Sequence, residues 1–576
     1  MVLAALLILL ANSNRFISEC FKVGDMCLLP QTSFVIPEQT ERVARAAFPK
    51  GSLCLRIADE LGRIFLDEQF AELFPRRGQP AEAPARLAFV TLLQYAENLS
   101  DRQAADAVRG RIDWKYALGL ELSDPGFDST VLSEFRTRLV QGSAQQILLA
   151  TLLQMCQAKK LLLARGRQRT DSTHVLGAIR AMNRLECSGE VVRHTLNVLA
   201  VVAPDWLREH GQPEWIDRYG PRVEDYRLPK SETLRLAQAQ QIGLDGYSLL
   251  DNIYAEDASG WMRQLPAVET LRRVWVQQYY RTEAEVRWRS GADGLPPSAR
   301  FISSPYDPEA HYAKKRTTSW VGYKVHLTES CEQGTPHLIT HVETTSAPAA
   351  DGEVTTSIHE ALAQDGLLPS THLVDTGYVD ALTLTASQRD YGVELLGPTR
   401  ADYHWQAHEQ TGFAASNFTI DWQKQQAICP QERRSVSWSP AKDGERDVIK
   451  IKFASADCGA CVSRKQCTHT ARPRRTLTIR PQQEYLALQA ARVREAGEEF
   501  AKQYGVRAGI EGTISQAVRA FGLRRARYFG QAKTHLQHVL TAAAINLVRL
   551  AAWFAGDIPC ITRTPRFVAV LLSATT

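Results

Sequence analysis

Long hydrophobic runs are what this sequence lacks. Met1 to Ala11 is almost wholly apolar, but the run stops at Asn12, short of the roughly 20 residues a spanning helix needs. No Lys or Arg precedes it, as a secretory signal would want. Phe567–Leu572, near the other end, is shorter still. Residues 1–36 therefore read as an apolar N-terminal extension that is not part of the fold, with Met1–Asp25 upstream sequence taken in from too early a start codon. Residues 557–576 read as a C-terminal tail. A membrane protein is excluded and a cytoplasmic one expected. A strong net charge is missing too: 68 Lys and Arg stand against 63 Asp and Glu, for +5. No internal repeat or low-complexity tract occurs. The eleven cysteines form no dense framework, and a long chain of this kind suits a reducing compartment. What remains, 44% hydrophobic and 23% charged, is ordinary globular composition. At 576 residues two or more domains are expected.

The near-neutral total hides a local asymmetry. Between Ala501 and Arg549 the single acid is Glu511, among Lys502, Arg507, Arg519, Arg524, Arg525, Arg527, Lys533 and Arg549. So basic a field favours a polyanionic partner. Helical spacing puts Tyr504, Arg507 and Glu511 on one face. A surface Arg507–Glu511 pair, worth a few tenths of a kcal/mol, explains that spacing as well as a metal ligand does.

Two upstream carboxylates bear on the choice. Asp171, in Thr170-Asp171-Ser172-Thr173, ends a short β-prone run. Asp375, in Leu373-Val374-Asp375-Thr376-Gly377, stops a short apolar strand before a turn. Acids at strand ends can converge at one sheet edge. With Glu511 they could hold two divalent ions about 4 Å apart, the arrangement used in phosphodiester displacement. Hard oxygen ligands suit Mg²⁺ or Mn²⁺. Asp380 and Glu499 lie nearest as substitutes.

On these residues the chain resembles the DDE transposases of bacterial insertion sequences, of the eleven-eighty-two type. Their third acid carries a Tyr-x2-Arg-x3-Glu-x6-Lys signature. Tyr504, Arg507 and Glu511 match it in register; Val518 stands at the Lys position, with Arg519 beside it. Further resemblance lies in Arg76-Arg77-Gly78-Gln79-Pro80, Leu99-Ser100-Asp101-Arg102-Gln103, Asp113-Trp114-Lys115-Tyr116-Ala117-Leu118-Gly119 and Trp320-Val321-Gly322-Tyr323-Lys324-Val325-His326. It covers roughly Pro37 to Trp553. It implies an α/β fold, a ribonuclease H-like catalytic core with large insertions behind an all-α N-terminal domain.

The function it implies is cleavage of DNA at the element's ends and joining to a target, through Asp171, Asp375, Glu511 and Mg²⁺ or Mn²⁺. Tyr504, Arg507, Arg519, Arg524, Arg525, Arg527 and Lys533 would meet double-stranded DNA. Arg507 would touch a phosphate or orient Glu511, and Tyr504 would stack on a base or pack in the core. Arg524, Arg525 and Arg527 would follow the DNA backbone or line a solvated helix face. Lys314-Lys315-Arg316 is a weaker patch. A homodimer or larger assembly on DNA is expected. A metal-dependent nuclease without strand transfer, or a catalytically dead DNA-binding descendant, are the alternatives.

Residues 37–158 read as a helical DNA-binding domain of helix-turn-helix character, or a plain helical packing domain. Helical spacing covers Leu53–Phe70 and Pro84–Asn98. Ser100 with Gln103 forms a capping box, and Asp128 caps a helix through Val140. Residues 159–556 carry the catalytic core: strands at Gln168–Val175, Trp320–Thr328, His337–Thr345 and His372–Asp375, a helical insertion at about 180–300, and a mixed insertion at about 400–485. The latter holds Cys429, Cys458, Cys461 and Cys467. Four thiolates with one Cys-x2-Cys pair suit a structural Zn²⁺. His469 is an alternative fourth ligand, and four reduced, unligated thiols the alternative to any site.

Overall fold

The computed structural model of the protein describes residues 26–27, 34–75, 79–283, 285–409, 412–557 and 566–568. The Met1–Asp25 extension, Arg76-Arg77-Gly78 and most of the 557–576 tail lie outside the described residues.

Local sequence sets the N-terminal helices. These are α1 (Glu38–Ala47), α2 (Leu53–Leu61), α3 (Pro84–Ala96), α4 (Asp101–Gly110), α5 (Ile112–Leu118), α6 (Thr130–Gln141) and α7 (Ile147–Ala158). The Ser52 hydroxyl caps α2, and Pro84 opens α3 at its first turn, where its missing N–H costs nothing. The expected capping box forms, with Ser100 Oγ accepting from Gln103 N and Ser100 N donating to Gln103 Oε1. Asp128 accepts from Thr130 N at the start of α6. The helix expected over Leu53–Phe70 ends early, because Gly62 turns the chain at φ +64°. A 3₁₀ segment, Asp67–Leu73, follows after an irregular link.

The chain after α7 is built on a six-stranded mixed sheet. Its strands are β1 (Arg165–Leu176), β2 (His311–Lys315), β3 (Thr318–Ser330), β4 (Ile339–Ser346), β5 (Pro369–Val374) and β6 (Glu394–Leu396). β1 runs antiparallel to β3 and parallel to β5. β3 also pairs antiparallel with β2 and β4, and β6 extends β5 in parallel. The spatial order along the main path is thus β2-β3-β1-β5-β6, with β4 pairing β3 off that path. Gly322 lets β3 pass close to β1: a Cβ there would lie 2.2 Å from the Val175 carbonyl oxygen.

Between β1 and β2 the helices α8 (Arg184–Val202), α9 (Pro204–His210), α10 (Glu214–Tyr219), α11 (Glu232–Tyr254) and α12 (Pro266–Gln278) enclose an apolar core of their own around Trp215, Trp275 and Tyr279. α13 (Thr355–Gln364) precedes β5, and α14 (Ala381–Tyr391) joins β5 to β6. The second insertion is a three-stranded antiparallel sheet, β7 (Ser437–Asp443), β8 (Arg446–Lys452) and β9 (Thr476–Ile479), over a small core of Phe418, Ile451, Phe453 and Leu477.

The chain then forms α15 (Gln482–Glu495), α16 (Glu498–Gly505), α17 (Gly509–Phe521) and α18 (Gln531–Phe554). α18 is buried along most of its length and packs on α2, α3, α7 and β4. One continuous apolar core therefore joins the N-terminal helices to the sheet.

Candidate active site at the sheet edge

Register brings the first two acids together. Thr170 of β1 pairs with Val374 of β5, in parallel. Asp171 and Asp375 are the residues that follow this pair and so stand side by side. Asp375 follows the last residue of β5, as the sequence suggested. Asp171 does not end its strand: β1 runs on to Leu176, because β3 pairs with it through that point. Each acid accepts the next residue's N–H, from Ser172 at 2.7 Å and Thr376 at 2.8 Å.

Glu511 lies in the first turn of α17, where a carboxylate favours the helix dipole. Its side chain is 66% exposed. Arg507, on a 3₁₀ turn between α16 and α17, ties the cluster together. One Nη pairs with Asp171 Oδ2 at 2.7 Å and the other with Glu511 Oε1 at 3.1 Å. The Arg507–Glu511 pair expected from spacing is present, but it is one arm of a bridge to the sheet. Burial pushes the Asp171 carboxyl above the usual carboxylate range, and Asp375 adds to that push, while Arg507 and the Ser172 N–H pull it down. Tyr504 is half-buried and stacks on Phe500 with ring centroids 5.3 Å apart. Neither substitute is placed in the cluster: Asp380 caps α14 through Thr383 N, and Glu499 bonds Gln503.

A buried ionic network missed in the sequence holds α17 against the sheet. Glu329 of β3 is fully buried. It pairs with Arg169 of β1 at 2.6 Å and Arg549 of α18 at 2.9 Å, and accepts from Thr513 of α17 at 2.5 Å. Arg169 also donates to the Val506 carbonyl, which fixes the turn that carries Arg507. Arg169 passes directly under α17: a Cβ at Gly509 would lie 2.1 Å from its Nη1. Arg549 thus belongs to the core, not to a basic surface. A second missed group is Asp351, which accepts from Ser172 Oγ at 3.1 Å and pairs with Lys324 at 3.0 Å. A Cβ at Gly377 would lie 2.9 Å from Asp351 Oδ2, so this node sits beneath the turn after Asp375.

The basic residues divide. Arg524–Arg527 is not on a helix, because Gly522 ends α17 in the left-handed region. The segment runs instead beside the end of β1, where Leu176 N donates to the Arg524 carbonyl and Ala526 N donates to that of Leu176. Arg524 bonds Thr173 at 2.9 Å. Arg527 bonds Asn98 and lies over the Tyr95 ring at 4.9 Å, joining the two regions. Arg525 and Arg519 stand exposed, and Lys533 is half-buried. Val518 packs against the core, so the cation one position on, Arg519, faces outward. Lys314-Lys315-Arg316 forms the exposed tip of the β2–β3 hairpin, and the Lys315 charge reaches Asp171 and Asp351.

The four cysteines line one cavity of ≈ 30 Å³, room for a water or an ion. Arg433 N donates to Cys429 Sγ at 3.3 Å. Burial pushes the Cys467 thiol up to about 11, and the other three cysteines add to that shift. His469 does not line the cavity; it stacks on Trp405 at 3.9 Å. As they stand, no three His, Cys, Asp or Glu side chains among the described residues are close enough to hold a metal ion. The donors at the sheet edge are nonetheless hard carboxylate oxygens around a cation, the chemistry a divalent ion would meet.

Two family models match the chain. Residues 428–551 match a transposase DDE domain, and residues 42–138 match a transposase domain (DUF772). Together they support an insertion-sequence transposase. The first match contains Glu511 and the four cysteines and leaves Asp171 and Asp375 outside. No curated protein matches the chain. Among the described residues no helix is long and apolar enough to cross a membrane.

Proposed function

We propose that the protein binds the ends of its insertion sequence, cleaves the DNA there and joins it to a target. The observation that carries this reading is the adjacency of Asp171 and Asp375 on neighbouring strands, with Glu511 linked to Asp171 through Arg507. The run of strands β4-β3-β1-β5-β6, antiparallel through β4, β3 and β1 and parallel from β1 to β6, with β2 also paired to β3, supports a ribonuclease H-like core.

In this reading Asp171, Asp375 and Glu511 hold two Mg²⁺ or Mn²⁺ ions. Those ions, when bound, would activate the attacking oxygen and steady the leaving one. The chain's own residues do the rest. The Glu329 network keeps α17 against the sheet, and the Ser172 and Thr376 N–H groups orient the two aspartates. Arg525, Arg519 and the Lys314–Arg316 tip offer cations to phosphates. Tyr504 supports α16 by stacking. The N-terminal helices, tied to the core through Arg527 and α18, would recognise the ends. DNA binding by two or more copies is part of the proposal. A structural zinc at Cys429, Cys458, Cys461 and Cys467 is supported by their single shared cavity and the N–H···S bond at Cys429.

Asp375→Asn tests the reading, since an amide keeps the shape but not the charge. Nicking of end DNA in Mg²⁺ should vanish while gel-shift affinity stays nearly intact. Unchanged nicking would remove Asp375 from the chemistry; loss of both activities would indicate a folding defect.

A further inference from the structure

Arg507 sits inside the acidic cluster rather than on its rim. Its side chain is 11% exposed. Its two Nη atoms are taken by Asp171 and Glu511, while Nε is buried with no hydrogen-bond partner among the described residues. Burial works against its charge, yet Asp171, Tyr504, Asp375 and Glu511 together hold its pKa above the ordinary guanidinium value. The backbone beside it is fixed, because the Val506 carbonyl accepts from the buried Arg169. Any displacement of the guanidinium is therefore a side-chain rotation on a fixed backbone.

The two oxygens that Arg507 holds belong to the acids assigned above to the metal. A guanidinium and a divalent ion on the same carboxylates repel strongly, the more so away from bulk water. A guanidinium displaced from carboxylates finds the same planar, two-point geometry in a phosphate.

We propose that Arg507 is the resident counter-cation of this acidic cluster, in competition with a divalent ion for Asp171 and Glu511, so that metal binding turns its guanidinium outward to a DNA phosphate. The proposal rests on the metal-site reading above. It explains why the three acids do not stand at metal-holding spacing around the guanidinium. It also makes Arg507 a link between metal loading and DNA engagement.

The test is Mn²⁺ binding to the full chain without DNA, read by the paramagnetic resonance of free Mn²⁺ or by calorimetry. It compares the wild type, Arg507→Gln and Arg507→Lys, with circular dichroism checking each fold. Removing one charge at contact distance should tighten Mn²⁺ binding about tenfold or more in Arg507→Gln. Arg507→Lys, which keeps the charge but not the fork, should fall between, and decides the matter if the Gln variant does not fold. DNA affinity in Mn²⁺ should move the opposite way and weaken in Arg507→Gln. A residue that merely braces the site would weaken Mn²⁺ binding when removed. Equal or weaker Mn²⁺ binding in folded Arg507→Gln would therefore overturn the proposal. Failure of the wild type to bind Mn²⁺ at all, with or without DNA, would instead overturn the metal-site reading beneath it.

Discussion

Replacing Glu329 with Gln should damage this protein more than any exposed substitution near the site. The carboxylate is fully buried and touches Arg169, Arg549 and Thr513. Gln keeps the shape but removes the charge, and can turn an N–H₂ group toward guanidinium groups that only donate. Arg169, with 6% of its side chain exposed, and Arg549, with 19%, would then carry charge without a counter-ion. Breaking a buried pair by removing one partner costs about 3–5 kcal/mol. In a chain this long, with an unfolding entropy of about 2 cal/mol/K per residue, each kcal/mol moves the thermal midpoint by roughly 1 °C, so the midpoint should fall by about 3–5 °C. Because Thr513 and the Arg169–Val506 bond also set α17, nicking should fall even at temperatures where the variant stays folded. Circular dichroism melts beside a nicking assay at low temperature read both effects. A loss of stability below about 1 kcal/mol, the scale of an exposed pair, would refute the view that this network positions Glu511.

Three further outcomes are expected. Arg525→Ala should flatten the log–log salt dependence of DNA binding by about one unit, the share of one phosphate contact. Arg527→Ala should lower stability instead, because its guanidinium already serves Asn98 and Tyr95; equal slope changes for both would contradict this division. Purified protein kept reduced should carry about one zinc per chain, as a single four-thiolate site requires, and Cys461→Ser should lose it and melt earlier while retaining some nicking in Mg²⁺. Elemental analysis without zinc would reject that site. Burial depresses His326 and His359 to about 4 and His538 to about 3, from 6.5. A base depressed in the folded state binds its proton on unfolding, so its stabilisation is complete above pH 6.5 and lost as pH falls toward 4. Melting midpoints that stay level from pH 7 to 4 would show these rings to be accessible.

Sequence made the local features legible. The Ser100–Gln103 box, the Asp128 cap and the strand that stops at Asp375 each depend on neighbours a few residues apart. Gly62 and Gly522 were harder, because a left-handed turn ends a helix whose apolar spacing continues past it. That is why apolar spacing alone extends a helix over Leu53–Phe70, and why a solvated helix face stands as an alternative for Arg524–Arg527. Asp171 and Asp375 could be named from their motifs, but their adjacency depends on the β1–β5 register. Arg169, Glu329 and Arg549 carried no signal, since partners 160 and 220 residues apart look alone like any charged residue. Lys324 lay inside a quoted motif, yet Asp351, its partner, lies in a separate turn.

The central claim is that Asp171, Asp375 and Glu511 form one centre that both cuts and joins DNA. Supplying the purified chain with DNA carrying its element's ends, a target duplex and Mg²⁺, and mapping every product strand, tests it most directly. The account predicts cleavage at the element boundary with a free 3′-hydroxyl, followed by covalent joining of that end to the target. All of this should disappear together in Asp171→Asn, Asp375→Asn and Glu511→Gln. Cleaved ends that are never joined would reduce the protein to a nuclease. Joining that survives in any one of the three variants would contradict the shared centre.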